Sequence, residues 1–204
     1  MKTLLLTRHG ESEFNASCRI NADPRISSPL TGRGEEQAIA LGILLGEEQI
    51  DLCVTSEHER AIATADVALE GRTIPRLVLP NLNEPRAGAL EGDLASRYDD
   101  RLRREGMGSP NPGGGESQLD ALRRYIRAYE ALEQRREHVQ LVVAHGMPIR
   151  WLRLSRRLTP VREEMPIEFS RPQVDFAGTP DQYDAQDLRR RLMKLKRYLS
   201  AVDG

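Results

Sequence analysis

The sequence predicts an α/β fold, a three-layer sandwich with a mostly parallel central sheet and helices on both faces. The first observation is that short apolar runs alternate with longer segments whose apolar residues recur at helical spacing. The second is the length, because 204 residues can bury one substantial core. The third is that no repeat or linker divides the chain. We therefore expect residues 1–204 to form a single domain, with residues 153–204 as an atypical C-terminal part.

Short runs of apolar and β-branched residues predict the strands. The first run, from Thr3 to Thr7, ends at a charged turn, which is typical of a buried strand. The region from Thr73 to Leu79 alternates less cleanly but is rich in β-forming residues. The predicted strands cover residues 3–7, 51–55, 73–79 and 139–144, and one further strand is expected within 165–178.

Helices are predicted in the segments that follow these strands. Thr31 is a suitable N-cap, and Ala38, Leu41 and Leu45 follow it at helical spacing. Residues 106–115 contain five Gly and two Pro, which predicts a loop and makes it a candidate lid. The predicted helices cover residues 31–48, 57–70, 93–105, 116–137, 147–157 and 181–199.

The composition argues against several classes of protein. Thirty basic and thirty-one acidic side chains leave a net charge of −1, which gives no electrostatic reason to bind nucleic acid or an anionic membrane. No apolar stretch approaches the roughly 18 residues of a membrane helix. Cys18 and Cys53 are too few for a disulfide scaffold or an ordinary zinc site. We therefore expect a soluble, cytoplasmic protein without nucleic-acid or membrane partners.

Residues suited to phosphate or proton chemistry follow all four of the clearest predicted strands. The carboxyl ends of parallel strands lie at one edge of a sheet, and ligands bind in the crevice beyond that edge. Two of the four histidines of the chain occupy such positions, and each is followed by glycine. In chain order, the residues after these strands are Arg8, His9, Ser56, Arg60, Glu84 and His145.

Together these side chains match the needs of phosphoryl transfer, which are a nucleophile, positive charge around the phosphoryl oxygens and a proton donor. His9 suits the nucleophile, since a neutral imidazole is nucleophilic near neutral pH, and Gly10 would let a phosphate approach the backbone. Arg8 and Arg60 offer paired N–H donors to phosphate oxygens. His145, if protonated, would add a charged donor.

Glu84 would protonate the departing alcohol and then activate water. No carboxylate cluster suited to a metal is evident, so we expect neither a metal nor a cofactor. Structural alternatives stay open for each residue: buried core histidines, surface ion pairs for the arginines and a solvated loop carboxylate for Glu84. His58 and His138 are interpreted as structural.

The segment Leu6-Thr7-Arg8-His9-Gly10-Glu11-Ser12, with Asn15 close behind, resembles the signature of the histidine phosphatase superfamily, the phosphoglycerate mutase-like proteins. Further blocks follow in the family's order over about residues 3–152, including Pro29-Leu30-Thr31, Ser56 through Arg60 to Thr64, Leu82-Asn83-Glu84 and Val143-Ala144-His145-Gly146. The resemblance implies that His9 is phosphorylated and that Glu84 is the acid and base. It also implies a phosphate pocket formed by Arg8, Arg60, His145 and Asn15, with Gly10 and Gly146 beside them.

Two departures from the family leave the substrate open. The region after Trp151 does not resemble the family's usual ending, where a clear final strand is expected, and His58 stands where many relatives carry an apolar residue. Arg19, Arg25 and Arg86 lie near the motif blocks and are candidates to bind a second anionic group of the substrate.

The resemblance implies a phosphomonoester hydrolase that acts on a small phosphorylated metabolite through a phosphohistidine. The alternatives are a mutase of the phosphoglycerate mutase type, and a phosphoprotein phosphatase or an adaptor that binds phosphorylated partners. The modest span between Glu84 and Glu116 favours hydrolysis, because mutases of the family resemble longer chains with an added segment. The oligomeric state stays open, with a homodimer as one alternative.

Overall fold

A five-stranded sheet, in the order β3-β2-β4-β1-β5, forms the middle layer of the protein. The structure is a computed structural model, and it describes residues 3–158 and 175–203. Strands β1 to β4 are parallel, and β5 runs antiparallel to β1 at the edge of the sheet. The predicted mostly parallel sheet is therefore confirmed. The strands are β1 (Thr3–Arg8), β2 (Leu52–Thr55), β3 (Arg76–Val78), β4 (Val139–Ala144) and β5 (Asp181–Asp184).

Helices cover both faces of the sheet, as the alternating pattern predicts. Leu5 and Leu141 point into an apolar cluster with helices α2 and α3. Leu6 and Val142, one position further along the same strands, pack into a cluster with helices α5, α6 and α7 on the opposite face. The helices are α1 (Glu13–Ala16), α2 (Gly32–Leu45), α3 (Glu59–Ala68), α4 (Ala95–Glu105), α5 (Gln118–Glu133), α6 (Gly146–Leu154) and α7 (Ala185–Asp203), with 3₁₀ turns at Pro80–Leu82 and Gly88–Leu90.

Helix α2 begins at its predicted N-cap but ends earlier than predicted. The hydroxyl of Thr31 accepts a hydrogen bond from the backbone N–H of Gly34 at 3.0 Å, so the predicted N-cap is confirmed. The helix ends at Leu45 rather than Glu48 because Gly46 adopts a φ of 44°, in the left-handed region that favours glycine.

The loop of residues 106–115 contains no helix or strand and is fastened to the 3₁₀ turn at Gly88–Leu90. The N–H of Ala89 donates to the carbonyl of Pro112 at 2.7 Å. At Gly88, which has a φ of 61°, a Cβ atom would lie 2.1 Å from the same carbonyl. The predicted loop is therefore confirmed, and glycine at position 88 lets the two segments approach closely.

The C-terminal part corrects two expectations. The predicted helix over 181–199 is wrong at its start, because residues 181–184 form β5 beside β1, with Tyr183 paired to Leu4 and only 3% exposed. Pairing with the otherwise open edge of β1 outweighs the helical pattern there. The region after Trp151 thus supplies a final strand. Most of the strand expected within 165–178 lies outside the described residues, and Phe176 forms a single bridge with Arg8.

Candidate active site

The two predicted histidines meet because β1 and β4 run parallel in register. Arg8, the last residue of β1, pairs with Ala144, the last residue of β4. His9 and His145 therefore leave the sheet side by side, and the backbone N–H of His9 donates to the carbonyl of Ala144 at 3.0 Å. The centres of the two imidazole rings lie 5.1 Å apart. The sheet topology thus brings together two residues that are far apart in sequence.

Arg60 joins the two imidazoles from the first turn of α3, which follows β2. Its guanidinium is 3% exposed, and its Nε donates to His9 Nε2 at 3.0 Å. Its Nη2 lies 3.4 Å from His145 Nδ1. Burial lowers the pKa of Arg60 to about 10, which still leaves the group charged at neutral pH. The structure therefore holds a fixed positive charge directly beside both histidines.

The hydrogen bonds of His9 determine which ring nitrogen can react. Its Nδ1 lies 2.6 Å from the carbonyl oxygen of Gly10, and a carbonyl can only accept, so Nδ1 carries the proton. Nε2 then holds the lone pair and faces Arg60. Burial, followed by the charges of Arg60 and Arg8, holds the pKa of His9 well below its usual range. His9 is therefore neutral near pH 7, and the lone pair of Nε2 accepts the hydrogen bond from Arg60 Nε.

His145 differs from the expectation of a protonated donor. Its Nε2 lies 2.7 Å from the hydroxyl of Ser56, and burial, followed by the charge of Arg60, holds its pKa well below its usual range. The free protein therefore carries a neutral imidazole here, because a second buried cation beside Arg60 would be costly. A bound phosphate dianion would favour protonation of the same ring.

Glu84 lies close to this group, after the 3₁₀ turn at Pro80–Leu82. Its side chain is 23% exposed, and Oε1 lies 3.9 Å from His145 Nδ1. Burial raises the pKa of Glu84 in spite of the opposing charges of Arg60 and Arg8. A carboxyl group with a raised pKa near a site of bond cleavage is suited to donate a proton.

The backbone around Glu84 is held by α5. Arg124 donates to the carbonyl of Asn83 at 3.0 Å and lies 3.3 Å from the carbonyl of Glu84, and the hydroxyl of Tyr125 donates to Asn83 at 3.0 Å. The role of Arg124 could not be predicted from the sequence, because a helical arginine gives no local sign that it supports a distant loop.

Packing against α2 also requires glycine at position 10. A Cβ atom there would lie 2.4 Å from the carbonyl oxygen of Gly34, at the start of α2. The N–H of Gly10 donates to the Thr64 hydroxyl at 2.9 Å. Glycine is therefore needed here so that the loop can pack against α2, and the expectation that it admits a phosphate to the backbone stays a prediction.

The other predicted pocket residues lie nearby. The guanidinium carbon of Arg8 is 3.8 Å from the centre of the Phe176 ring. The Asn15 side-chain oxygen accepts hydrogen bonds from the N–H and the hydroxyl of Ser12, at 3.1 and 3.0 Å. Gly146 is the buried first residue of α6, directly after His145. Asn15 thus caps α1 with its oxygen while lining the same cavity as Arg8.

A small cavity of about 170 Å³ borders part of this group of residues, whereas His145 does not line it and is fully buried. It is lined by five of the predicted site residues: Arg8, His9, Asn15, Arg60 and Glu84. Tyr98, Gln118 and Met147 form part of its wall. His9 is only 1% exposed, and it borders this cavity.

A large cavity of about 730 Å³ adjoins the small one, and Ala22, Glu84 and Ala87 line both. Two of the arginines proposed to bind a second anion line it, but both are already paired. Arg25 lies 2.6 Å from Asp23, and Arg86 lies 3.4 Å from Glu116.

Arg19, the third such arginine, lines the small cavity instead and donates to the carbonyl of Gly92 at 2.7 Å. Two partners of Arg60 were also missed by the sequence analysis. The side-chain oxygen and the carbonyl of Asn21 accept from its two Nη groups, the second at 3.0 Å. The Thr64 hydroxyl donates to its carbonyl at 2.6 Å. Only the spacing of four residues between Arg60 and Thr64 within α3 could have indicated this second contact.

Within residues 3–158 and 175–203, no three His, Cys, Asp or Glu side chains come together as a metal site. No helix among these residues is long and apolar enough to cross a membrane.

Comparison with known proteins gives consistent matches. An adenosylcobalamin/alpha-ribazole phosphatase of Salmonella typhimurium (strain LT2) is 42% identical over 88 residues, which are 43% of this chain and 43% of that protein. The match thus spans less than half of that relative's length. A 2,3-bisphosphoglycerate-dependent phosphoglycerate mutase of Cytophaga hutchinsonii is 32% identical over 163 residues, 74% of this chain and 76% of that protein. The crystal structure of the alpha-ribazole phosphatase from Shigella flexneri superposes with a TM-score of 0.68 at 29% identity, covering 82% of this chain and 83% of that one.

The family match is wider than the motif blocks. The family model described as histidine phosphatase superfamily (branch 1) matches residues 4–195, from β1 into α7. It therefore continues well beyond Trp151, where the resemblance in sequence motifs ends. The match includes both strands that present the paired histidines and the helix that carries Arg60. The chain belongs to the histidine phosphatase superfamily.

Proposed function

We propose that the protein hydrolyses phosphate monoesters of a small metabolite through a phosphohistidine intermediate. The observation that supports this most directly is the state of His9. Its Nδ1 is bound to the Gly10 carbonyl, and its Nε2 faces Arg60 at the wall of the small cavity. A neutral imidazole with a fixed tautomer and an adjacent guanidinium is prepared both to attack phosphorus and to balance the charge of its oxygens.

In the first step, the phosphoryl group enters the small cavity, and its oxygens accept hydrogen bonds from Arg8 and Arg60. The hydrogen bond from Arg60 Nε transfers from His9 Nε2 to a phosphoryl oxygen, which frees the Nε2 lone pair. His9 Nε2 then attacks phosphorus in line, a P–N bond forms and the P–O bond to the alcohol breaks. Glu84, with its raised pKa, gives its proton to the leaving oxygen. The proton stays on His9 Nδ1, and its hydrogen bond to the Gly10 carbonyl stabilises the positive charge of the phosphorylated ring.

In the second step, the ionised carboxylate of Glu84 takes a proton from a water molecule as that water attacks phosphorus. The P–N bond breaks, inorganic phosphate forms and His9 returns to its neutral state. Glu84 is again protonated and ready for another cycle. The same carboxyl group thus acts as acid and then as base.

The experiment is to measure phosphate release from p-nitrophenyl phosphate and to trap the enzyme that carries the labelled phosphoryl group. We expect a phosphoprotein that is stable to base and labile to acid, and His9→Ala should lose activity by several orders of magnitude, because nothing else supplies the nucleophile. His138→Ala is the matched control, since that imidazole is exposed on the surface. Turnover that survives in His9→Ala would reject the covalent mechanism.

Mutase activity is the second candidate, and the arginines of the large cavity argue against it. A mutase that acts on phosphoglycerate must also bind the carboxylate of its substrate, whereas Arg25 and Arg86 already pair with Asp23 and Glu116. Incubation with a monophosphoglycerate, followed for both free phosphate and isomer exchange, separates the two. Isomerisation much faster than phosphate release would overturn the preference for hydrolysis.

We further propose a cytoplasmic location, which the free thiols of Cys18 and Cys53 support. Cell fractionation tests it.

We also propose that residues 1–204 act as one domain, and limited proteolysis without a stable intermediate is the expected result. The homodimer stays a prediction, and light scattering tests it by measuring the molar mass in solution. A phosphoprotein substrate would need the cavities to admit a peptide, and a phosphopeptide panel tests that alternative.

A further inference from the structure

The large cavity is where the alcohol part of a substrate would lie. Because Glu84 lines both cavities, a phosphoryl group at His9 places the ester oxygen beside this carboxyl group and directs the rest of the molecule into the large cavity. Its volume of about 730 Å³ lies within the range typical of small-molecule sites. The lining of this cavity therefore determines which alcohols are accepted.

Negative groups outnumber positive ones in this lining. Within the described part of the chain, five carboxylates and three guanidinium groups border the large cavity. Glu84 acts on the ester oxygen in the proposed mechanism. Four carboxylates and three guanidinium groups are then left to face the group attached to the phosphate. The residues are Asp23, Glu57, Glu84, Glu91 and Glu116 against Arg25, Arg86 and Arg124.

Each of the three guanidinium groups is held by a carboxylate. Arg25 pairs with Asp23 at 2.6 Å. Arg86 and Arg124 share Glu116, at 3.4 and 2.8 Å. A second anion on the substrate would have to displace one of these carboxylates or lie beside it. Both arrangements are unfavourable, because like charges repel and the displaced carboxylate would lose its partner.

Glu57 and Glu91 are the carboxylates that remain for a ligand. Glu57 accepts one hydrogen bond from the Asn83 amide at 2.7 Å. Glu91 accepts from the backbone N–H groups of Ala22 and Asp23, at 3.0 and 3.1 Å. Neither forms an ion pair within residues 3–158 and 175–203. A carboxylate has about four acceptor positions, so both can still accept hydrogen bonds from a hydroxyl or an ammonium group.

We propose that the large cavity selects phosphate esters of amino-bearing polyhydroxy alcohols and discriminates against esters that carry a second anionic group. The ammonium group would lie toward Glu57 and Glu91, and hydroxyls would donate to the same oxygens. Aromatic rings are absent from the described lining, so a planar base would find no aromatic side chain to stack on there. This inference rests on the proposed function, because it assumes that the phosphoryl group is bound at His9.

Three six-carbon phosphate esters of different charge provide the test: glucosamine 6-phosphate, glucose 6-phosphate and 6-phosphogluconate, the last an open-chain acid. We expect kcat/KM to fall in that order, with at least about a tenfold difference between the first and the last. Equal values, a preference for 6-phosphogluconate, or hydrolysis of p-nitrophenyl phosphate with none of the three would overturn the inference and leave the proposed function standing. No hydrolysis of any ester would instead reject the proposed function.

A pair of charge-reversal variants tests the assignment to this cavity. Glu57→Lys should reduce the preference for glucosamine 6-phosphate over 6-phosphogluconate by about tenfold. Glu70→Lys changes the net charge equally but lies exposed beyond the end of α3 that is opposite Arg60, so it should leave the preference unchanged. An equal effect of both variants would mean that only overall charge matters, and the inference would be wrong.

Discussion

Replacing His58 by leucine should make the folded protein less sensitive to acid. The His58 ring is 1% exposed, and its centre lies 4.7 Å from that of His145. Burial, followed by the charge of Arg60, lowers the pKa of His58 to about 3. In the unfolded chain the same imidazole titrates near pH 6.5. The unfolded state therefore binds a proton between these values that the folded state excludes, and acid favours unfolding.

The size of the effect follows from the two pKa values. Stability contributed by the neutral imidazole is fully present above pH 6.5 and is lost as the pH falls toward 3. At pH 5 the loss from His58 alone comes to about 2 kcal/mol relative to pH 8, at about 1.4 kcal/mol for each pH unit. His9 and His145 add to the acid sensitivity of the parent protein in the same direction, because burial lowers their pKa values too.

Urea unfolding at pH 8 and at pH 5 measures this difference. The free energy of unfolding of His58→Leu should fall by about 2 kcal/mol less than that of the parent over this interval. His138→Leu removes an exposed imidazole and is the matched control, expected to follow the parent. If His58→Leu and the parent lose the same free energy, His58 accepts a proton in the folded state and the argument from burial is wrong.

Three further changes test the site itself. Arg60→Ala should lower kcat/KM by about 10²- to 10³-fold, since it removes a preorganised charge. It should also move the acidic limb of the pH–rate profile upward, because the charge of Arg60 helps to lower the pKa of His9, and an unmoved limb would contradict this. Glu84→Gln should slow the hydrolysis of alkyl phosphates by about 10²- to 10⁴-fold and that of p-nitrophenyl phosphate far less, because the p-nitrophenolate leaving group needs no proton. Equal losses for both substrates would show that Glu84 is not the acid. Gly34→Ala should destabilise the protein by about 1–3 kcal/mol in thermal unfolding, because the added Cβ would lie 2.0 Å from the Glu11 carbonyl oxygen. Gly32→Ala is the control and should not destabilise the protein, because its Cβ would meet open space. Similar Tm values for the two variants would refute the packing argument.

The parts of the site that depend on topology could be predicted from the sequence. Apolar runs fix where the strands lie, and parallel strands bring their carboxyl ends together, so His9, Arg60 and His145 could be expected at one edge. The parts of the site that depend on burial and on hydrogen-bond or ion-pair partners could not be predicted from the sequence. The neutral state of His145 results from its surroundings, and the pairing of Arg86 with Glu116 requires a loop and a helix start to meet in space.

Strand β5 shows why local patterns are not enough. Residues 181–184 are polar apart from Tyr183 and lead directly into α7, so periodicity assigns them to the helix. Their extended form depends on the edge of β1, which no local sequence feature near residue 181 can reveal. The same holds for Gly10, whose need for glycine comes from α2 rather than from its own turn.

The position of β1 has a consequence for how the molecule is made. This strand is synthesised well before its partners, because Leu5 pairs with Leu141 and Gln182. Contacts between such distant segments form slowly, because a long stretch of chain must be ordered before they can close. The imidazole of His9 is therefore made long before β4, which brings it beside His145. The paired imidazoles can form only after β4 has been synthesised, and β5 then encloses β1 on its other side.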